Sequence, residues 1–195
     1  MASFLSVADG LAALAEWAIH AGAKAEPGAE LPWVILIDGR SGAGKTIFAT
    51  ELATRLGRGA AAAPQLIHLD DFYPGWGGLS AASRMVATDV LHPTQPGFRR
   101  WDWEHNQPAD WVPLDPTRPM IIEGVGALTG GAIGVLKKQG RKHTSVTLHA
   151  PADLRQHRAV TRDPGFAQWW EYWAQTEENH LNTRPRADIQ VDTRR

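Results

Sequence analysis

Gly39-Arg40-Ser41-Gly42-Ala43-Gly44-Lys45-Thr46 is the stretch on which the reading of this chain turns. It fits the phosphate-binding pattern G-x-x-x-x-G-K-[ST] at every fixed position. The flanks fit as well. Trp33-Val34-Ile35-Leu36-Ile37 is a short apolar run that reads as a buried strand. From Lys45 to Leu56, Phe48, Leu52 and Leu56 recur at helical spacing, and Gly57 stands where a helix C-cap is expected. Strand, glycine loop and helix together make an anion site. Glycines let the backbone curl with its N–H groups inward, and the helix N-terminus adds about half a positive charge at the same spot. Lys45 is then placed to reach the β- and γ-phosphates, and the Thr46 hydroxyl to hold Mg²⁺. The alternative is a chance glycine-rich turn, against which the complete match and both flanks argue.

Outward from this loop, the 195 residues suit one domain with a full core. A net charge of −1 gives no electrostatic case for nucleic acid or an anionic membrane surface. The absence of cysteine excludes disulfides and thiolate metal sites, and suits a reducing cytoplasm. No stretch approaches the roughly 20 apolar residues of a membrane span. Asp9 and Glu16 interrupt the apolar part of the N-terminus, which therefore does not read as a signal peptide. The histidines are scattered, so no zinc site is expected.

Ser3 to His20 reads as an amphipathic helix, either packed on the domain or offered to a partner, and Gly22 to Pro32 as a surface link. Gln65 to Leu69 reads as a second strand that ends at Asp70-Asp71-Phe72-Tyr73. Ligands of open α/β sheets bind beyond the carboxyl ends of the strands, so this acidic pair shares a rim with the glycine loop. Neighbours in a strand point to opposite faces, so one of the two faces the γ-phosphate, or else one caps the next helix. Ser80 to Leu91 reads as a short helix. Phe98 to Glu104 is either a substrate-facing platform or a loop that seals the core edge, and Asn106 to Pro119, with four prolines, reads as connection.

Met120 to Gly124 reads as a third strand that ends in Glu123, placed either in a Mg²⁺ shell or in solvent. Thr129 to Gln139 reads as a helix and Ser145 to Leu148 as a fourth strand. Pro151 opens a helix with Arg155, Arg158 and Arg162 on one face, which is either solvated or a lid over phosphates. Phe166 to Leu181 is a ring-rich helix, and Ala187 to Asp192 a last strand. The alternation predicts a three-layer α/β/α sandwich with a five-stranded parallel sheet. It forms a single domain, with residues 1–30 as N-terminal helix and link and 151–185 as lid and aromatic helix.

Gly39 to Thr46, Leu69-Asp70-Asp71-Phe72-Tyr73, Trp101-Asp102, Ile122-Glu123-Gly124 and the arginine helix occur in an order that resembles the uridine kinase-like P-loop kinases. That group includes uridine–cytidine, nicotinamide riboside, phosphoribulo- and bacterial pantothenate kinases. The likeness runs from about Trp33 to Asp192 and implies a nucleoside-monophosphate-kinase-like fold. It implies ATP and Mg²⁺ as cofactors and a small-molecule acceptor, with no nucleic acid and no membrane, and it allows a homodimer. By resemblance Asp70 is the general base, assisted by Lys45, Arg158 and Arg162. Gly39, Arg40, Ser41, Gly42, Ala43, Gly44, Lys45, Thr46 and Arg155 hold ATP. Thr46 and Glu123 hold Mg²⁺. Asp71, Tyr73, Trp101 and Asp102 face the acceptor, with Asp102 gripping sugar hydroxyls. Pro164-Gly165-Phe166 looks most like the nicotinamide riboside branch. Trp101 replaces the usual Tyr or Phe, and the segment that reads a pyrimidine ring has no match. A nucleoside is the leading acceptor. Pantothenate, a sugar or another vitamin-like alcohol is the rival, and a regulatory nucleotide-binding ATPase the rival from another class.

Overall fold

The structure is a computed structural model that describes residues 4–23, 31–58 and 63–194. Most of the link after α1 and of the glycine–alanine run before Pro64 lies outside them. Five strands form one parallel sheet in the order β2-β5-β1-β6-β7. They are β1 (Val34–Asp38), β2 (Gln65–His68), β5 (Met120–Glu123), β6 (His143–His149) and β7 (Ile189–Asp192). β1 is buried along its whole length, as expected of a central strand covered on both faces. Its side chains alternate. Val34 and Leu36 enter one core layer with Phe72, Leu79 and Trp173. Ile35 and Ile37 enter the other with Leu11, Leu14 and Phe48. Helices α1 (Val7–Ala23) and α2 (Lys45–Gly57) cover this second face. So α1 is packed on the domain, and its buried stripe of Leu11, Leu14 and Ala18 is the one its spacing predicts.

Helices α3 (Leu79–Met85), α4 (Gly130–Lys138) and α6 (Trp170–Leu181) supply the opposite layer. α5 (Ala152–Arg162) stands over the glycine loop and leads through a 3₁₀ stretch, Pro164–Trp169, into α6. The five-stranded α/β/α architecture agrees with the sequence reading. Two segments differ. β2 stops at His68, and Leu69–Asp71 winds into a 3₁₀ turn that carries both aspartates. The proline-rich stretch read as connection contains β4 (Gln107–Pro113), which pairs antiparallel with β3 (Gly97–Asp102) in a separate ribbon. A two-stranded ribbon has outward edges that tolerate Pro108 and Pro113, which a central strand would not.

Asp38, the last residue of β1, is fully buried and ties four segments together. Its Oδ1 accepts from Gly39 N at 2.6 Å and from Arg184 Nη1 at 3.3 Å. Its Oδ2 accepts from Leu128 N at 2.8 Å and lies 3.0 Å from His180 Nε2. The start of the glycine loop, the loop after β5, the end of α6 and the segment beyond it therefore share one carboxylate. Asp38→Ala would leave the buried His180 without its hydrogen-bond partner and the half-buried Arg184 without its counter-charge. Losing one side of a buried ion pair costs about 3–5 kcal/mol. Urea denaturation should show a loss of that size; a loss below about 1 kcal/mol, the range of exposed pairs, would contradict the tie.

Candidate active site at the carboxyl ends of the strands

The glycine loop takes positive φ at Gly39, Gly42 and Gly44, a backbone that other residues rarely adopt. Gly42 has φ +75° and a Cβ there would lie 2.0 Å from Arg155 O. Gly44, at φ +89°, turns the chain into α2. α2 therefore starts at the loop, with its first N–H groups free for an anion. Lys45 is buried, and its Nζ donates to Arg40 O at 3.2 Å across the loop. The loop is braced from α6: Ser41 N donates to the buried Glu177 at 2.7 Å, Trp173 Nε1 donates to Ser41 Oγ at 2.9 Å, and Arg40 pairs with Glu178.

Glu123 lies in sheet register with Ile37 of β1 and His68 of β2, at the same rim. Its Oε1 accepts from Thr46 Oγ1 at 2.9 Å and lies 2.6 Å from His68 Nδ1. Burial pushes the Glu123 pKa up, but His68, Lys45 and Thr46 outweigh it and hold the carboxylate below its ordinary range. The same hydrogen bond raises the pKa of His68. A hydroxyl and an ionised carboxylate at the foot of an anion loop are hard oxygen donors. Mg²⁺ needs only one or two such protein groups beside phosphate oxygens and water, so the donor set fits it. Among the described residues no group of three or more His, Cys, Asp or Glu side chains makes a closed cage.

Asp70 lies on the wall of two adjoining clefts. One, of about 490 Å³, is bounded by Lys45, Thr46, Glu123, Arg158 and Arg162. The other, of about 360 Å³, is bounded by Ser41, Tyr73, Trp76, Trp103, Asp163, Phe166 and Trp173. Ser41, Asp70 and Arg162 border both. The 3₁₀ turn sends the neighbouring Asp71 to the exposed outer side, where it lines neither cleft. Asp70 is open to solvent within the clefts but walled by protein. That confinement raises its pKa against the opposing charges of Lys45 and Arg162, with Glu123 adding to the rise.

The second cleft is built of rings. Trp76 stacks on Phe166 at 5.3 Å and on Trp169 at 5.2 Å, and meets Trp103 at 5.2 Å and Trp173 at 6.1 Å. Tyr73 gives its ring to the wall while its hydroxyl donates to Val125 O at 2.7 Å; burial pushes that phenol well above its ordinary value. Trp103, at the turn of the β3–β4 ribbon, donates from Nε1 to Asp70 O at 3.1 Å.

Three expectations from the sequence need correction. Asp102 lines neither cleft: its Oδ1 accepts from Glu104 N at 3.0 Å and His105 N at 3.1 Å, and its Oδ2 lies 2.8 Å from His105 Nδ1. These bonds hold its pKa down and spend the carboxylate on the ribbon turn. Trp101 packs toward Gly75, also away from both clefts, and Trp103 takes the place expected of it. The three arginines of α5 divide. Arg155 is buried under the loop, donating to Ser41 O at 3.3 Å and Ala150 O at 3.2 Å, with its guanidinium 5.8 Å from the Trp170 ring. Arg158 is on the first cleft's wall and donates to Thr193 O at 2.8 Å. Only Arg162 spans both clefts.

Sequence reasoning missed Asp38, His68, Trp103, Asp163 and the polar face of α6. That face had a signal. Trp170, Trp173, Glu177 and His180 recur at core spacing and are all buried, and buried charge at core positions marks a built contact.

No protein-family model and no curated protein matches the sequence. Solved structures do. A candidate fructose transport system kinase from Silicibacter sp. TM1040 aligns over 92% of this chain and 98% of its own, at 18% identity and a TM-score of 0.60. A possible uridine kinase from Bacillus stearothermophilus aligns over 95% and 99%, at 20% identity and 0.53. YFH7 from Saccharomyces cerevisiae, described as a candidate P-loop kinase with a circular permutation, aligns over 95% and 99%, at 11% and 0.59. At these identities the likeness establishes the P-loop α/β fold alone.

The raised Asp70 pKa sets a stability prediction. A carboxyl whose pKa is higher folded than unfolded favours folding only while protonated, and that benefit is lost as pH rises through the folded value. Asp70→Asn should therefore melt above wild type at neutral pH. The gap should close as pH falls below the ordinary carboxylate range. Thermal melts across pH test this; a variant less stable than wild type at neutral pH would show that the cleft favours the charged form.

Proposed function

We propose that the chain is an ATP- and Mg²⁺-dependent kinase that moves the γ-phosphate to a hydroxyl of a small metabolite, with a nucleoside-like alcohol as the leading acceptor. The observation that carries this reading is the position of Asp70 on the shared wall of a phosphate-type cleft and a ring-lined cleft. A switch ATPase needs the first cleft but has no use for a carboxylate facing a second pocket of metabolite size. The kinases among the similar folds and the order of motifs that resembles the uridine kinase-like group support the same reading. A cysteine-free chain and, among the described residues, no helix long and apolar enough to cross a membrane suit work in the cytoplasm.

In this reading the glycine-loop N–H groups and Lys45 hold the phosphate chain of ATP. Thr46 and Glu123 would hold Mg²⁺, whose charge would offset that of the transferring phosphoryl group. His68 fixes the Glu123 carboxylate. Asp70 accepts the proton of the attacking hydroxyl as the bond to phosphorus forms; its raised pKa makes it a better base than an ordinary carboxylate. Arg162 faces the point of transfer and meets the charge that develops there. The rings of the second cleft orient the acceptor and keep water away.

ADP release with and without a panel of nucleosides, sugars and pantothenate tests this. Release should depend on an acceptor, and Lys45→Ala should lower it at least about a hundredfold, the effect of losing one preorganised donor. Acceptor-independent release would favour the switch ATPase, and a Lys45→Ala variant at near wild-type rate would remove the glycine loop from the chemistry.

A further inference from the structure

Within the kinase reading, on which this step rests, we infer that Asp163 is the residue that sets the charge of the acceptor: it excludes anionic alcohols and admits ring-bearing alcohols that are neutral or cationic. Asp163 ends α5 and enters the wall of the ring-lined cleft beside Asp70. Its Oδ1 accepts from Gly165 N at 3.0 Å and so shapes the turn into Pro164–Trp169. Its Oδ2 makes no hydrogen bond among the described residues.

The rest of the wall sharpens the effect. Trp76, Trp103, Phe166 and Trp173 contribute ring surface, which suits a flat ring and gives an anion nothing to replace its water. Aromatic faces present negative charge, so they attract cations and repel anions. The wall has two carboxylates, Asp70 and Asp163, against one cation, Arg162. Arg162 also borders the phosphate cleft, and a bound triphosphate draws it there. An anionic acceptor would therefore meet a carboxylate without a free counter-charge, and like charges juxtaposed in an interface are costly.

Three probes of one shape separate the charges: hydroxyethyl-pyridinium, phenethyl alcohol and para-(hydroxyethyl)benzoate. Their binding to the full chain is measured by calorimetry with a non-hydrolysable ATP analogue and Mg²⁺ present, so that Arg162 is engaged by phosphate and the readout does not require turnover. The neutral probe should bind at least about tenfold more tightly than the anion, with the cation at least equal to the neutral probe. Asp163→Asn keeps an acceptor oxygen for Gly165 N and so preserves the turn. It should narrow the neutral-to-anion ratio to about threefold or less. A purely structural role for Asp163 would leave that ratio unchanged. Equal binding of anion and neutral probe by the wild-type chain, an unchanged ratio in Asp163→Asn, or no binding by any of the three would overturn the inference. ADP release in the presence of ATP and Mg²⁺ separates this inference from the kinase reading. Charge-ordered binding without acceptor-dependent release supports Asp163 and contradicts the kinase. Acceptor-dependent release with no charge order does the reverse.

Discussion

The structure depends on the buried carboxylate of Asp38. β1 brings the chain into the middle of the sheet, and an open end there would leave Gly39 N and Leu128 N without partners. Asp38 satisfies both and draws in His180 and Arg184, so that the loop, the post-β5 turn and the end of α6 are fixed by one group. Its cost in desolvation is offset only because each oxygen has two partners. From that anchor α6 runs back along the site, and Glu177 and Trp173 reach Ser41. The glycine loop is thereby held from its first residue and from its apex.

The same anchoring explains how the two clefts come to face each other. α6 and the preceding 3₁₀ stretch carry Phe166, Trp169 and Trp173 to Trp76, and the ribbon turn brings Trp103 to the same cluster. The Leu69–Asp71 turn delivers Asp70 between the clefts. A carboxylate at the mouth of a ring-lined cleft and facing a second acid, Glu123, is held where its charged form is disfavoured. That is a cost to the fold, and a group so placed is a base with more proton affinity than an ordinary aspartate. Lys45 and Arg162 keep the cost from becoming prohibitive.

What the sequence disclosed follows from which constraints are local. The glycine loop was legible because Gly42 and Gly44 are demanded by backbone geometry. The strands were legible because apolar runs such as Val34 to Ile37 have one use in an α/β chain. Thr46 and Glu123 were legible as the ends of such elements, and the structure brings their side chains to 2.9 Å of each other. Asp102 shows the opposite case. It sits in a motif that suggests substrate, but the ribbon turn needs three acceptor contacts and takes the carboxylate. Arg155, Arg158 and Arg162 share a helix face in sequence, yet that face runs from the loop's underside to the cleft mouth, so only packing decides which reaches phosphate. Asp38 went unread because its partners beyond Gly39 lie 90 and more residues away in the chain.

The central claim is that Asp70 is the base at the junction of the two clefts. The most direct test is the pH dependence of acceptor kcat/KM at saturating ATP and Mg²⁺, compared between wild type, Asp70→Asn and Asp71→Asn. The account predicts an acid limb above the ordinary carboxylate range, kept by Asp71→Asn and absent from the residual activity of Asp70→Asn. A limb that survives in Asp70→Asn, or that disappears with Asp71, would contradict it.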